Sequence, residues 1–267
     1  MQVIGICRFS YPGIGGFQVD FPTLEERIAY LYSSARMAER FRTFEAITLP
    51  CLKAQTDGDF TLLIVIGEAM PAAYEARLRH LVADLPQAVI QIHPPGQHRV
   101  VMQTAIQSVR RPELGPSVQF RLDDDDGVAL NFVSRLREAA LDLRKLMRRH
   151  RRVVIDFDRG FIITPGPNGI AAKAVQEPAH TPGLALMLPP KAQLTVMNFS
   201  HVKMVRDLPT VSFSETTMFL RGHGEFNDSR QKPAADPVPL RLMNAEEEAA
   251  LKDNFGVDAD HVRTVWS

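Results

Sequence analysis

The sequence has few of the features that mark membrane or disulfide-rich proteins. Its apolar runs, such as Leu62–Ile66, fall far short of the roughly 20 residues of a membrane span. The first residues, Met1–Arg8, lack the basic and apolar regions of a secretory signal. Only two cysteines, Cys7 and Cys51, occur among 267 residues, too few for a disulfide scaffold. We expect a cytoplasmic protein in which both cysteines are buried packing residues.

The sequence also lacks an excess of one charge and several common catalytic motifs. Its 31 basic residues balance 31 acidic ones, which argues against bulk electrostatic binding of nucleic acid. It contains no G-x-S-x-G, P-loop, H-E-x-x-H or C-x-x-C motif, which argues against hydrolase, NTPase and zinc-site interpretations. A hydrophobic fraction of 45% excludes a disordered chain and is enough for a full core.

The first half of the chain alternates strand-like and helix-like segments. Strands are predicted at Val3–Cys7, Phe60–Ile66, Ala88–Ile92 and Val118–Leu122. Helices are predicted at Leu24–Ala38, Phe44–Gln55, Ala72–Ala83 and Val100–Val109, and a longer one carries Phe132, Leu136, Ala140, Leu143 and Met147 on one stripe. This order predicts an α/β fold whose mainly parallel sheet is flanked by helices.

The second half contains short strand candidates broken by glycine and proline. They are Val153–Ile155, Phe161–Thr164, Ile170–Val175, Leu184–Leu188 and Leu194–Phe199, with a turn at Pro165–Gly169. They predict an antiparallel C-terminal extension. We expect one domain over residues 1–227, with a donor half at about 1–128 and an acceptor side at about 129–227. Residues 228–267 are predicted to form a proline-rich linker, over Ser229–Pro239, and a helix capped by Asn244 that packs on the domain.

The outstanding feature is a run of four aspartates, Asp123–Asp126, where a predicted buried strand ends and a helix follows. In open α/β sheets, ligands bind beyond the carboxyl ends of the strands. Four adjacent carboxylates repel one another unless a cation, basic residues or solvent offsets their charge. Their oxygens suit hard divalent ions, although an acidic turn at a helix N-terminus is a simpler alternative. The run does not have the spacing of an EF-hand loop.

The order of strand, acidic run and helix resembles the D-x-D region of GT-A nucleotide-diphospho-sugar glycosyltransferases. More narrowly, several segments resemble a rhamnosyltransferase family: Arg36-Met37, Arg40-Phe41, Phe44-Glu45, Pro50–Gln55 and Phe120–Asp126. The resemblance covers most of residues 1–225 and implies a GT-A-like fold. It departs from the GT-A pattern at Gly67-Glu68, where many such enzymes carry an acidic pair that contacts the nucleobase.

The resemblance implies binding roles for specific residues. Asp123 and Asp125 would hold Mn²⁺ or Mg²⁺ and the donor ribose, with Asp124 and Asp126 as alternates. His201 is a further expected metal ligand, and Lys203 could meet a phosphate. The nucleotide would lie against residues from three places in the chain: Arg8, Phe9, Ser10, Glu68 and Arg99.

The resemblance also implies a general base that removes the proton of the acceptor hydroxyl. Glu215 is the first candidate, because Ser214 has the pattern of a helix N-cap and the segment resembles the acidic helix start of inverting GT-A enzymes. A structural role in the first helical turn explains Glu215 equally well. Asp156 and Asp158, after a predicted strand, are competing candidates.

Two further segments each have a structural explanation and a functional alternative. Arg144–Arg152 concentrates positive charge at a predicted helix C-terminus, where compensation of the helix dipole is the default explanation. Peripheral contact with an anionic membrane or an acidic glycan is the alternative. His223–Asn227 is a polar loop that either closes over the donor or forms a plain surface turn.

Taken together, the sequence predicts a metal-dependent glycosyltransferase. Its donor would be a nucleoside diphosphate sugar, with rhamnose as the family-based choice, and its acceptor a glycan or other hydroxyl. A metal-dependent phosphoryl-transfer enzyme and a non-catalytic metal- or glycan-binding module are the alternatives.

Overall fold

The computed structural model describes residues 1–15, 21–224 and 239–267. The strands of the central sheet are β1 Gln2–Arg8, β2 Thr61–Gly67, β3 Ala88–His93, β4 Ser117–Asp123, β6 Val153–Phe157, β9 Leu184–Leu188 and β10 Thr210–Phe213. A second sheet contains β5 Gly127–Val128, β7 Arg159–Gly166, β8 Gly169–Gln176, β11 Phe219–Gly222 and β12 Arg241–Leu242. The helices are α1 Leu24–Leu31, α2 Ser34–Thr43, α3 Leu49–Lys53, α4 Ala72–Leu81, α5 His98–Val109, α6 Phe132–Asp142, α7 Arg144–His150, α8 His201–Asp207, α9 Ala245–Phe255 and α10 Ala259–Trp266.

The central sheet has the strand order β10-β6-β9-β4-β1-β2-β3. All of its strand pairs are parallel except those of β9, which runs antiparallel to both β4 and β6. Its carboxyl edge therefore brings together the ends of β1, β4 and β6. The predicted mixed α/β fold with a mainly parallel, helix-flanked sheet is confirmed.

The second sheet, in the order β12-β8-β7-β11-β5, contains the predicted C-terminal extension. Strands β7 and β8 form an antiparallel hairpin that closes between Gly166 and Gly169, which confirms the predicted turn. Strand β11 pairs parallel to β7 and antiparallel to β5. Because β5 directly follows the four aspartates, the second sheet begins at the acidic run.

Apolar side chains from opposite faces of the central sheet form two cores. Val3 and Cys7 of β1 lie in the larger core, whereas Ile4 and Ile6 lie in the smaller one. This is the alternation expected of a strand buried on both faces. Cys51 is also fully buried, and burial raises the pKa of its thiol to about 12. Both cysteines are therefore packing residues, as predicted.

Two local predictions differ from the structure. The helix expected over Leu24–Ala38 breaks between α1 and α2, and the chain is then helical from Ser34 through a π-turn at Phe44–Thr48 into α3. The strand expected at Leu194–Phe199 is a 3₁₀ turn, because Val196 donates its N–H to the Gln119 side chain at 3.0 Å instead of joining a ladder.

At the C-terminal end, Asn244 caps α9 as predicted, and Leu251 and Phe255 of this helix are buried in the larger core. The predicted domain boundary at residue 227 and most of the predicted linker fall outside the described residues, so both stay predictions. None of the helices in the described ranges is long and apolar enough to cross a membrane.

Candidate functional site

The four aspartates form a tight turn at the end of β4. The Asp126 N–H donates to the Asp123 carbonyl at 3.1 Å, and β5 begins at the next residue. This turn brings one carboxylate oxygen each of Asp123, Asp125 and Asp126 within 4.8 Å of one another. The turn explains why strand alternation could not assign the cluster from sequence, since Asp125 and Asp126 are neighbours that contribute to the same group.

Asp124 does not contribute to this group but pairs with Arg40 of α2. The Arg40 guanidinium binds both oxygens of Asp124, with Nε 3.0 Å from Oδ2, and its Nη1 lies 3.4 Å from Asp125 Oδ2. Arg40 and Asp124 are both buried. A two-pronged guanidinium–carboxylate pair is strong and directional. Arg40 therefore fixes the turn from a distant part of the chain.

Asp126 is held from the other side by the second sheet. Its Oδ1 accepts the Gly222 N–H of β11 at 3.0 Å. A Cβ at Gly222 would lie 2.5 Å from the Asp125 carbonyl oxygen, so only glycine lets β11 approach this closely. Burial, together with the charges of Asp125 and Asp123, raises the pKa of Asp126 well above its usual range. Negative charge is thus concentrated beyond what Arg40 offsets.

This donor set fits a hard divalent cation. All three converging groups offer oxygen atoms, which Mg²⁺ and Mn²⁺ prefer over nitrogen or sulfur. Burial and, after it, repulsion from Asp125 and Asp123 raise the pKa of Asp126, and a bound cation would relieve that repulsion. Asp123, Asp125 and Asp126 are therefore the residues that could hold the ion.

Nitrogen-bearing side chains border the acidic cluster on the face of the smaller core. Burial, with Arg121 and Arg221 nearby, lowers the pKa of His201 to about 4, so its ring is neutral at pH 7. Arg121 reaches the Phe199 carbonyl at 3.5 Å, and Arg221 Nη1 lies 3.4 Å from His180 Nδ1. His201 begins α8 and is not one of the three groups that converge within 4.8 Å. Its role as a ligand stays a prediction.

Sequence reasoning missed Arg121, and a signal for it was present. Arg121 and Asp123 belong to the same strand two residues apart, so both side chains point to the same face of the sheet. No comparable signal existed for His180, which comes from the loop between β8 and β9.

The residues expected to bind the nucleotide have different environments. Arg8 ends β1 and is the direct neighbour of Asp123 in the sheet. Glu68, after β2, and Arg99, in the first turn of α5, are both exposed. These positions leave their predicted roles open.

Phe9 and Ser10 differ from the other three. Phe9 is fully buried, with its ring 5.1 Å from that of Phe41 and 5.3 Å from that of Phe44. Its ring is a core group packed against other aromatic rings, and the expectation that Phe9 contacts the nucleotide stays a prediction. Ser10 is also buried, with a positive φ of 49°, and its Oγ accepts from Arg36 Nη1 at 2.9 Å. Ser10 therefore supports the loop after β1.

The helix predicted to begin at Ser214 is absent, and Glu215 lies in an exposed bend between β10 and β11. The Ser214 hydroxyl donates to Asp158 Oδ2 at 2.8 Å instead of capping a helix. Strand pairing explains this difference, because β10 stays paired with β6 up to Phe213 and the Met218 N–H bonds the Arg159 carbonyl at 2.9 Å. The four residues between these points are too few for a helix.

Asp156 is fully buried and both of its oxygens are used inside the protein. Oδ2 accepts the Ser212 hydroxyl at 2.8 Å, and Oδ1 accepts the Ala179 N–H at 3.3 Å. Burial raises the pKa of this carboxyl above its ordinary value, against the effect of these two hydrogen bonds. Asp156 therefore has the environment of a structural group.

The mainly parallel sheet and the acidic cluster at its carboxyl edge define the class of a GT-A-like α/β protein. A model of the family described as "Putative rhamnosyl transferase" matches residues 2–236. The chain belongs to this family. No curated protein matches the chain significantly.

Solved structures with a similar chain path include S. aureus TarS. A fragment of residues 1–349 in complex with UDP-GlcNAc has 10% identity and a TM-score of 0.44, over 85% of this chain and 60% of that one. The same fragment with UDP has 9% identity and a TM-score of 0.44, over 84% and 61%. The present chain therefore spans about 60% of the length of the TarS fragment.

The two kinds of aspartate in the cluster predict opposite effects of substitution. We expect Asp123→Asn to weaken Mn²⁺ binding about 10–100-fold, the range seen even for outer partners of metal sites. The melting temperature should stay equal or rise, because a repelling charge is removed. Asp124→Asn is the matched variant, and it should lower stability by roughly 3 kcal/mol because it weakens a buried ion pair.

Calorimetric titration with Mn²⁺ and thermal unfolding without metal measure these two effects. Equal loss of stability in both variants would contradict the division of roles within the cluster. Unchanged Mn²⁺ affinity in Asp123→Asn would contradict its place in the metal site.

The raised pKa of Asp156 predicts that the difference in stability between Asp156→Asn and the unsubstituted protein depends on pH. Its pKa is higher in the folded protein than in the unfolded chain, so the folded protein loses stability as pH rises through the raised pKa. Asp156→Asn does not titrate, and its amide can donate to Ser212 Oγ and accept from Ala179. We expect this variant to be more stable than the unsubstituted protein at about pH 8, with the advantage gone by about pH 3.

Urea unfolding across this pH range measures the difference. A variant that is less stable at high pH would show that the Asp156 carboxylate is favourably compensated when ionised.

Proposed function

We propose that this protein transfers a sugar from a nucleoside diphosphate donor to an acceptor hydroxyl with the help of Mn²⁺ or Mg²⁺. Family membership supports glycosyl transfer, and the family description supports rhamnose as the donor sugar. The observation that carries the proposal is the convergence of the Asp123, Asp125 and Asp126 carboxylates at the carboxyl edge of the sheet. The cytoplasmic location expected from the sequence stays a prediction.

The residues of the cluster have separate tasks in this proposal. Asp123, Asp125 and Asp126 hold the ion, and Arg40 keeps Asp124 and Asp125 in position. A divalent ion held by these carboxylates would supply Lewis-acid neutralisation of the charge that develops on the departing nucleoside diphosphate. Arg221, whose positive charge lies near Asp126, adds electrostatic stabilisation on the same side.

The charge of the cluster favours one divalent ion over two. Arg40 binds both oxygens of Asp124 and approaches Asp125, so it offsets part of the negative charge of the cluster. A phosphoryl-transfer enzyme with paired metals would need more uncompensated carboxylate charge than this. The donor set therefore supports a single-ion transferase better than the phosphoryl-transfer alternative.

Among the three candidates for the general base, exposure favours Glu215. A base must reach the acceptor hydroxyl directly or through one water molecule. Glu215 is exposed, whereas Asp156 is buried with both oxygens bonded. Asp158 uses one oxygen to accept from Ser214, and its other oxygen is buried without a hydrogen-bond partner among the described residues. We assign the base to Glu215.

Thermal unfolding with a panel of sugar nucleotides, with and without Mn²⁺, tests the proposed donor and metal. A ligand at a hundredfold excess over its Kd stabilises the folded protein by about 2.7 kcal/mol. For a chain of this size, that corresponds to a rise of roughly 5–10 °C in melting temperature. We expect such a rise with one nucleotide family only when Mn²⁺ is present. In Asp123→Asn, we expect the Mn²⁺-dependent rise to be lost under the same conditions.

Other outcomes point elsewhere. A shift with metal alone would favour a non-catalytic metal-binding module, and phosphate-ester turnover without sugar transfer would favour phosphoryl transfer. No shift with either ligand would leave the acidic turn as a structural feature.

Substitution of the candidate bases tests the catalytic assignment. We expect Glu215→Gln to lower the rate of sugar transfer by about 10²–10⁴-fold, the usual contribution of a general base. The donor-induced melting shift should persist, because binding does not need the base. Asp158→Asn is the matched control and should keep most of the activity. The reverse pattern of losses would move the base to Asp158.

A further inference from the structure

A second charged feature lies away from the acidic cluster. Between Arg144 and Arg152 the chain carries six arginine or lysine side chains, a histidine and no acidic residue. They are Arg144, Lys145, Arg148, Arg149, Arg151 and Arg152, with His150 among them. The formal net charge of the whole chain is zero, so this stretch, which we call the basic segment, is a strong local departure from the average.

The basic segment is open to solvent. Met147 is its one buried side chain and anchors α7 on the larger core. Lys145, Arg148 and Arg149 are exposed, and no described residue forms an ion pair with any cation of the segment. The Arg144 side chain donates from Nε to the Leu141 carbonyl at 3.0 Å, which leaves its charge uncompensated.

Helix stability does not explain this arrangement. Cations favour the C-terminal turn of a helix, but Arg144 and Lys145 occupy the first turn of α7, next to the positive end of the helix dipole. Arg151, which follows the helix, has a positive φ of 62°, a conformation in which glycine or asparagine is preferred. Dipole compensation thus accounts for Arg148 and Arg149 only. Arg144, Lys145 and Arg151 are unfavourable for the local backbone and gain no structural contact that offsets this cost. Such residues often have a functional role.

The segment faces away from the acidic cluster. Arg152 leads into Val153, the first residue of β6, which lies at the amino edge of the central sheet. Val153 is level with Val118 of β4, and Asp123 lies at the carboxyl edge five residues further on, about 17 Å away along the strand direction. A surface bound at the basic segment therefore leaves the acidic cluster accessible. Leu141, 47% exposed, lies beside the segment and adds apolar contact area.

We propose that the basic segment docks this protein on a membrane surface that carries anionic lipids. Clustered arginine and lysine side chains are attracted to such surfaces, and an adjacent exposed leucine can insert at the headgroup level. A single-stranded nucleic acid fits less well, because residues 141–152 contain no phenylalanine, tyrosine or tryptophan on which bases could stack. The inference does not depend on the proposed sugar transfer, since it concerns a different edge of the sheet.

Vesicle co-sedimentation of the full chain tests this docking surface. The triple variant Lys145→Gln, Arg148→Gln, Arg149→Gln removes three exposed charges from the segment. The matched control Arg111→Gln, Lys173→Gln, Lys191→Gln removes three exposed charges elsewhere. We expect binding to phosphatidylglycerol-rich vesicles to weaken roughly a hundredfold in the first variant, because each basic residue near an anionic surface contributes about a factor of five.

The control variant should bind nearly as well as the unsubstituted protein. Vesicles of phosphatidylcholine alone should not bind, and added salt should weaken the interaction. The variant of the segment should unfold within a few degrees of the unsubstituted protein, because the loss of the favourable charges of Arg148 and Arg149 in the last turn of α7 is partly offset by the removal of Lys145 from the first turn. Sugar transfer to a soluble acceptor should be unchanged in it, so that failure of docking and failure of the proposed function are distinguishable.

Three results would overturn the inference. The first is equal weakening in both triple variants, which would indicate a non-specific effect of net charge. The second is absence of binding to phosphatidylglycerol-rich vesicles by the unsubstituted protein at low salt. The third is tighter binding to single-stranded RNA than to these vesicles, lost in the segment variant, which would make a nucleic acid the partner.

Discussion

The candidate site depends on the buried ion pair between Arg40 and the turn after β4. Four consecutive aspartates at a mostly buried position repel one another, and an unpaired buried charge is strongly destabilising. Arg40 binds both oxygens of Asp124 and approaches Asp125, so one guanidinium fixes the middle of the turn. The oxygens of Asp123, Asp125 and Asp126 are thereby left close together. The helix that carries Arg40 thus positions the carboxylates of the proposed metal site without contributing a ligand to it.

The second sheet completes this arrangement. Strand β5 follows the aspartates, and β11 packs against the turn so closely that Gly222 cannot carry a side chain. The same strand brings Arg221 near Asp126 and His180, and it also follows the bend that contains Glu215. Groups proposed to act on the donor and on the acceptor are therefore linked through one short strand. Although the net charge of the chain is zero, opposite charges lie at opposite edges of the central sheet. The acidic cluster is at the carboxyl edge and the basic segment is at the amino edge.

Much of the fold could be predicted because the strands of the central sheet carry their own signal. Segments such as Phe60–Ile66 and Val118–Leu122 are apolar, short and bounded by turn residues, and the structure has strands there. Local patterns failed where tertiary contacts outweighed them. Ser214 has the pattern of a helix cap, but strand pairing on both sides of it holds the chain in a bend. Phe9 follows a strand end, and aromatic packing with Phe41 and Phe44 places it in the core.

The sequence by itself determined the fold class, the family resemblance and the position of the acidic run at a strand end, because hydrophobic periodicity and adjacent residues are local properties. Only the tertiary structure decided which aspartates converge, which one is neutralised by Arg40, and that Arg121, Arg221 and His201 lie beside them. These relations join residues far apart in the chain. Their energies depend on distance, burial and the direction of each side chain, none of which is encoded in the spacing of residues along the sequence.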